Sequence, residues 1–120
     1  MEEENVLIVH LCTRDAWQAA QTLGEYCPPS LEAEGFIHCS RPAQVLAVAN
    51  RFYRDIPDLL LLWIRLEDVQ PEVRFEVVGS EDYPHIYGPL SLESIAAAIP
   101  IFPDADGSYR RLPQPPEGLV

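Results

Sequence analysis

The 120-residue chain has the length of one domain, and its 48% hydrophobic content is that of an ordinary globular protein. Its net charge is -11, with eight arginines and no lysine, so its long-range field repels polyanions and argues against broad nucleic-acid binding. No apolar run approaches the length of a membrane span, no signal peptide is evident, and the three cysteines form no C-x-x-C pair, so we expect a single cytoplasmic domain with reduced thiols and no membrane partner.

The chain opens with a predicted buried strand over residues 6–12, where aliphatic and β-branched residues follow one another without helical spacing. His10 lies near the end of this strand. Thr13 is suited to cap a helix and Gly24 to end it, so a helix is predicted between them. The next segment, residues 26–34, contains two consecutive prolines and no periodicity, and it is predicted to be a loop that covers a cleft.

Residues 35–39 are predicted to form a short strand, and Ser40 to cap a second helix whose first turn holds Pro42. Helical spacing predicts a buried face for that helix, which consists of Val45, Val48, Ala49 and Phe52. Residues 59–66 read LLLLWIRL, which predicts a central strand buried on both faces.

Residues 73–78 alternate between apolar and charged side chains. We therefore predict a half-buried strand with Arg74 and Glu76 on one face and apolar side chains on the other. The predicted buried side chains are Val73, Phe75 and Val77.

The remainder of the chain predicts a short strand at residues 85–90, a helical turn from Ser91 and a last apolar segment at residues 96–102. Residues 103–120 are rich in proline and glycine and are predicted to be a tail that is poorly ordered at its end. Strands and helices mix without a βαβ rhythm, so residues 1–102 are expected to form an α+β domain. It would contain a small, mostly antiparallel, split sheet and two main helices.

All three histidines, His10, His38 and His85, lie on predicted strands. A single strand histidine is more often a half-buried, hydrogen-bonded residue than a functional one, but convergence of all three would form a polar cleft for a small ligand. Three imidazoles also suit Zn²⁺ or Fe²⁺, yet the sequence has no H-x-H or H-x-x-x-H pair. No metal is therefore expected, and a metal site is kept as an alternative.

The stretch GFIHCS, residues 35–40, places three reactive side chains in a row. Side chains alternate along a strand, so His38 and Cys39 point to opposite faces and cannot form a nucleophilic ion pair. Cys39 is therefore predicted to lie in the core. Ser40 shares the face of His38, and it either caps the following helix or contributes to the cleft.

The segment YPHIYGP, residues 83–89, is dense in rigid and aromatic residues. A glycine before a proline predicts a tight bend, which is either a structural corner or a bend that aims His85 or Tyr87 into the cleft. On the preceding strand, Glu76 belongs either to a solvated face with Arg74 or to the cleft. In the cleft it would position a ribose hydroxyl or a nucleophile.

The motifs VHLC, GFIHCS and PHIYG, with W-x-x-A and YCPPS between the first two, resemble a family of small bacterial and plant proteins catalogued as domain of unknown function 952. The resemblance covers residues 6–102. That family has no established activity and is distantly similar to the ADP-ribosyltransferase fold, which includes the RNA 2'-phosphotransferases. The resemblance implies an ADP-ribosyltransferase-like cleft for NAD between a split pair of small sheets.

The resemblance also implies roles for individual residues. His10 would hold the adenosine-side ribose and the nicotinamide amide, while His38 and Ser40 would contact the nicotinamide or the ribose. The glutamate that transferases carry on a late strand falls at His85. The expected catalytic set is therefore His10, His38 and His85, and the expected NAD-binding set is His10, His38, Ser40 and Tyr87.

Three functions remain open at this point. The first is a transferase-like enzyme, active or degenerate, that binds NAD or another nucleotide-like ligand; because a histidine replaces the late-strand carboxylate, its activity depends on whether Glu76 takes that role. The second is a non-catalytic module that binds a small ligand or a protein, and the third is a metal-dependent hydrolase with three histidines. An RNA substrate is disfavoured because no basic surface is evident.

Overall fold

The computed structural model describes residues 6–115, which form an α+β domain with three helices and mostly antiparallel sheets. The helices are α1 (Arg14–Leu23), α2 (Pro29–Glu34) and α3 (Pro42–Phe52). The strands are β1 (Leu7–Thr13), β2 (Glu25–Tyr26), β3 (Ile37–His38), β4 (Leu59–Arg65), β5 (Glu72–Val78), β6 (Glu81–Tyr87), β7 (Leu90–Ser91) and β8 (Ile95–Pro100). The predicted α+β class is confirmed.

The first sheet has the strand order β1-β4-β8, with β4 in the centre. Leu60, Leu62 and Ile64 pack into one apolar cluster with α1 residues. The alternate residues Leu59, Leu61 and Trp63 pack into a second cluster with the buried side of α3. The prediction of a central strand buried on both faces is confirmed, because alternate side chains of β4 enter two different clusters. Burial of each of these large side chains contributes about 1.5–3 kcal/mol.

A second sheet has the order β3-β6-β5, and β2 pairs with β7 in a small third sheet. The first two sheets are joined by a bridge between Val9 and Ser40, whose backbone N–H and C=O groups exchange hydrogen bonds of 2.8 and 2.9 Å. This bridge fixes β3 beside β1. It thereby brings His38 close to His10.

The helix α1 begins and ends as predicted. The Thr13 hydroxyl accepts a hydrogen bond from the Ala16 backbone N–H at 3.1 Å, and Gly24 ends the helix in the left-handed conformation. The loop predicted for residues 26–34 is wrong in part, because residues from Pro29 onward form α2. Proline is tolerated in a first helical turn, and Gly35 ends this helix with a φ of 91°.

Two predictions for α3 are corrected. Ser40 does not cap the helix, since its backbone is engaged in the bridge to β1; Arg41 is the N-cap, and the Gln44 side-chain oxygen accepts from the Arg41 N–H at 2.8 Å. Val45 and Ala49 are buried as predicted, whereas Phe52 in the last turn is 64% exposed. The predicted burial of Phe75 and Val77 on β5 is also wrong, because that strand lies at the outside of its sheet.

Residues 103–115 run back over the domain. Tyr109 is buried, and the Asn50 side chain holds its backbone with two hydrogen bonds of 2.7 and 2.8 Å. The predicted poor order at the end of the tail falls on residues 116–120, which lie outside the described residues. Among residues 6–115, no helix is long and apolar enough to cross a bilayer.

Candidate functional site

The exposed face of the β3-β6-β5 sheet gathers polar and aromatic side chains from all three strands. The register places His38 opposite His85, and His85 opposite Arg74, so one row crosses the whole sheet. The opposite face of the sheet packs into the core through Ile37 and Ile86. Because side chains alternate along each strand, the same pairing that buries the isoleucines places the histidines on the other face, where His38 is exposed and His85 is only 4% exposed.

Phe36 lies at the centre of an aromatic group on this face. Its ring stacks on His85 with centroids 4.2 Å apart and an angle of 21° between the planes, and it lies 5.3 Å from the ring of Tyr87. The His38 ring lies 4.7 Å from Phe36 and makes an edge contact with His85 at 5.4 Å. Four rings are therefore in mutual contact, and we call this group the aromatic face (Phe36, His38, His85 and Tyr87).

Glu76 joins two members of the aromatic face. Its Oε1 accepts hydrogen bonds from His85 Nδ1 at 2.7 Å and from the Tyr87 hydroxyl at 2.5 Å. A carboxylate only accepts, so Nδ1 of His85 carries a proton. The hydrogen bond from Tyr87, followed by that from His85, lowers the pKa of Glu76, and the same bond raises the pKa of Tyr87. Glu76 is thus held as an anion beside an oriented imidazole.

Charged groups surround the aromatic face. The Arg74 guanidinium lies 4.5 Å from the centroid of the Tyr87 ring and is paired with Glu72 at 3.0 Å. His38 Nε2 lies 2.9 Å from a carboxylate oxygen of Glu34, and both of these side chains are about half exposed. These groups remain accessible to a ligand from solvent.

His10 does not reach the aromatic face. Its Nδ1 donates to the backbone carbonyl of His38, and its Nε2 accepts from the Tyr26 hydroxyl at 2.7 Å. The ring lies among apolar side chains of the core, and this burial lowers the pKa of His10 from 6.5 to about 4. His10 is therefore a neutral residue that ties β1 to β3 and β2, with both ring nitrogens occupied.

Ser40 is buried within the bridge between β1 and β3. Of the predicted site residues, the structure brings His38, His85 and Tyr87 together, while His10 and Ser40 lie at the junction of the two sheets. Cys39 is buried, as predicted, and burial raises the pKa of its thiol.

Sequence reasoning did not assign Phe36 or Glu34 to the site, and it left Glu76 and Arg74 open between a solvated face and the cleft. The signal was present in the alternation of the strands. Phe36 and His38 are two residues apart, as are Arg74 and Glu76. What the sequence lacked was the register that brings those faces onto one sheet.

Two open clefts lie elsewhere on the protein. One, of about 280 Å³, lies between Arg14, Arg54 and Tyr109, and the other, of about 390 Å³, lies beside Cys27 and Pro28. Neither is lined by a predicted site residue. Within residues 6–115, no three histidine, cysteine or carboxylate side chains are grouped so that they could hold a metal ion.

Comparisons with known proteins agree with the fold. The chain is similar to protein CC0527 from Caulobacter crescentus, with 29% sequence identity. The match to the crystal structure of CC0527 spans 87% of this chain and 93% of that one, with a TM-score of 0.80. The match to the solution NMR structure of CC0527, also at 29% identity, spans 87% of this chain and 91% of that one, with a TM-score of 0.76. No curated protein matches the chain. The family described as "Protein of unknown function (DUF952)" matches residues 11–98, and the chain therefore belongs to that family.

Proposed function

We propose that the aromatic face binds a nucleotide-like ligand, with NAD as the ligand that the family resemblance implies. The observation that carries the proposal is a group of four rings, of which His38 is exposed, Phe36 and Tyr87 are half-buried and His85 is buried, together with an anionic glutamate and an arginine on one sheet face. Aromatic rings stack on bases, and each such contact contributes about 1–3 kcal/mol. The nicotinamide or adenine ring would lie against Phe36 or Tyr87.

The polar groups around the rings suit the rest of such a ligand. Arg74 offers a planar fork for a phosphate at close range, which the net charge of -11 does not prevent. Glu76 can accept hydrogen bonds from ribose hydroxyls. His38 is half-exposed and lies across His85 from β5, where it can form a further hydrogen bond to the ligand. In this proposal His10 is a positioning residue, because it acts on the site through the backbone of His38.

The likeness to ADP-ribosyltransferases is part of the proposal, and Glu76 supports it. By that resemblance, His85 would stand where those enzymes carry their late-strand carboxylate, and the neighbouring strand of this chain has a carboxylate oxygen 2.7 Å from that histidine. If NAD is cleaved, the C–N bond to nicotinamide breaks, nicotinamide leaves with the electron pair, and the ribose carbon gains positive charge. An adjacent carboxylate stabilises that charge. Water or an acceptor hydroxyl then forms a bond to that carbon with an oxygen lone pair and loses its proton to the solvent.

Isothermal titration with NAD and with ADP-ribose tests the binding proposal. We expect heat of binding from the native protein and about tenfold weaker binding by His38→Ala, which removes one hydrogen-bonding contact. Arg51→Ala, on the exposed side of α3, is the matched control and is expected to bind as the native protein does. No heat from either ligand refutes the proposal.

A nicotinamide-release assay separates the enzyme from a non-catalytic binding module. Release that is lost in Glu76→Gln supports the transferase-like reading, whereas binding without release supports the module. The three-histidine hydrolase is not proposed, because His10 is held apart from the other two histidines by its bonds to Tyr26 and to the carbonyl of His38.

A further inference from the structure

We propose that the outer edge of β5 pairs with the same edge of a second copy of the chain. Two three-stranded sheets would then join into one continuous antiparallel sheet across a two-fold axis. The proposal rests on the exposure of the strand, the direction of its backbone groups and the order of its charges.

The edge of β5 has the properties of a strand that lacks its partner. Within residues 6–115, β6 is the one strand that pairs with it. Proline, lysine and β-bulges normally protect a sheet edge from pairing. The seven residues of β5 include no proline or lysine, and the register with β6 contains no bulge. Phe75, Val77 and Val78 are 42%, 75% and 56% exposed. An unprotected edge of this length, with apolar side chains exposed along one face, is a template for pairing with another chain.

The backbone direction identifies the groups that are free at this edge. The carbonyl of Pro84 accepts from Cys39 N–H at 3.1 Å, so the backbone of Pro84 faces β3. Phe75 lies opposite Pro84, and its own N–H and C=O therefore face away from β6. Val73 and Val77, two residues to either side, face the same way. The edge thus presents three donors and three acceptors.

A two-fold axis at Phe75 uses all of these groups. Phe75 then lies opposite Phe75 of the second copy, and Val73 lies opposite Val77, so the six outward N–H groups of the pair all find carbonyl partners. On the other face of the joined sheet, Arg74 lies opposite Glu76 of the second copy. Opposite charges at directly opposed strand positions stabilise a pair, and this pairing occurs twice.

The two neighbouring registers bring like charges together. An axis at Arg74 places that arginine opposite its own copy and Glu72 opposite Glu76, and an axis at Glu76 places two glutamates opposite each other. Such pairs are destabilising. Axes nearer either end of β5 leave fewer residues paired. The charge order therefore favours an axis at Phe75 over the two neighbouring registers, and the number of paired residues favours it over the axes near the ends. This self-complementary order identifies a second copy as the partner.

The pairing has a consequence for the aromatic face. Arg74 and Glu76 lie on the same side of the sheet as His85, so the aromatic faces of the two copies would lie on one surface. Glu76 of each copy would then be flanked by Arg74 of the other.

Light scattering coupled to size exclusion measures the mass directly. At about 0.15 M ionic strength, which screens the net negative charge beyond roughly 8 Å, we expect twice the chain mass of 13.5 kDa. Val77→Pro removes an N–H that faces the open edge, so it is expected to give the mass of one chain. Val78→Thr is the matched control, because its backbone faces β6 and the substitution keeps a β-branched side chain; its mass is expected to stay doubled.

A charge exchange tests the register with variants that leave the backbone intact. Arg74→Glu is expected to weaken dimerisation about tenfold or more, since it replaces two attractions with two repulsions, and the double variant Arg74→Glu with Glu76→Arg is expected to restore it. Circular dichroism of each variant checks that the fold is kept. A native mass of one chain, a doubled mass that Val77→Pro leaves unchanged, or a double variant no stronger than Arg74→Glu overturns the proposal.

Discussion

Acid should destabilise the protein through His10 before most carboxylates titrate. Burial lowers the pKa of His10 from 6.5 to about 4 in the folded chain, so between these values the unfolded chain binds more protons than the folded one. Stability therefore falls as the pH falls through this window and levels off below it. The difference of about 2.5 units corresponds to about 3 kcal/mol in full, of which about 2 kcal/mol is lost between pH 7 and pH 5.

Urea unfolding at a series of pH values measures this loss. In His10→Gln, the amide nitrogen can donate to the carbonyl of His38 and the amide oxygen can accept from Tyr26, so the hydrogen bonds are kept while the titration is removed. His38→Gln is the matched control, because it removes a half-exposed histidine. We expect His10→Gln alone to flatten the dependence above pH 5. Equal slopes in the native protein and in His10→Gln would refute the reasoning.

Three further predictions concern the same residues and the thiols. Tyr26→Phe leaves the buried Nε2 of the histidine without a donor and should lower the free energy of unfolding by about 1–3 kcal/mol in urea titrations, whereas Tyr83→Phe should change it little. Tyr87→Phe removes the largest cause of the lowered pKa of Glu76, so a carboxyl titration followed by NMR should show that pKa rising toward its ordinary value; an unchanged value contradicts the hydrogen bond. Of the three cysteines, Cys27 alone is exposed, so a thiol reagent should modify about one thiol per native chain and all three after unfolding.

The strands and helices with strong local signals were predictable. The apolar run of β4 and the Thr13 and Gly24 boundaries of α1 each express a rule that acts within a few residues. The short helix α2 was missed because consecutive prolines suggest a loop, although Pro29 at a first helical position fits a helix. Exposure of Phe52 depends on where α3 ends relative to the sheet, which local spacing does not contain.

The candidate site was predictable in part for the same reason. Alternation placed Phe36 on the face of His38, and Arg74 on the face of Glu76. The sequence gives no register between distant strands, however, so it did not show that His85 joins the two faces while His10 turns into the core. That outcome depends on the long-range pairing of β3 with β6 and on the bridge between Val9 and Ser40.

Mapping an NAD titration by heteronuclear NMR tests the central claim most directly. If NAD binds the aromatic face, the amide signals that shift in proportion to NAD should belong to β3, β6 and β5, with Phe36, His38 and His85 among them. The cleft beside Arg14 and Arg54 provides an internal comparison within the same protein. Shifts confined to that cleft, or no shifts at any NAD concentration, would contradict the account.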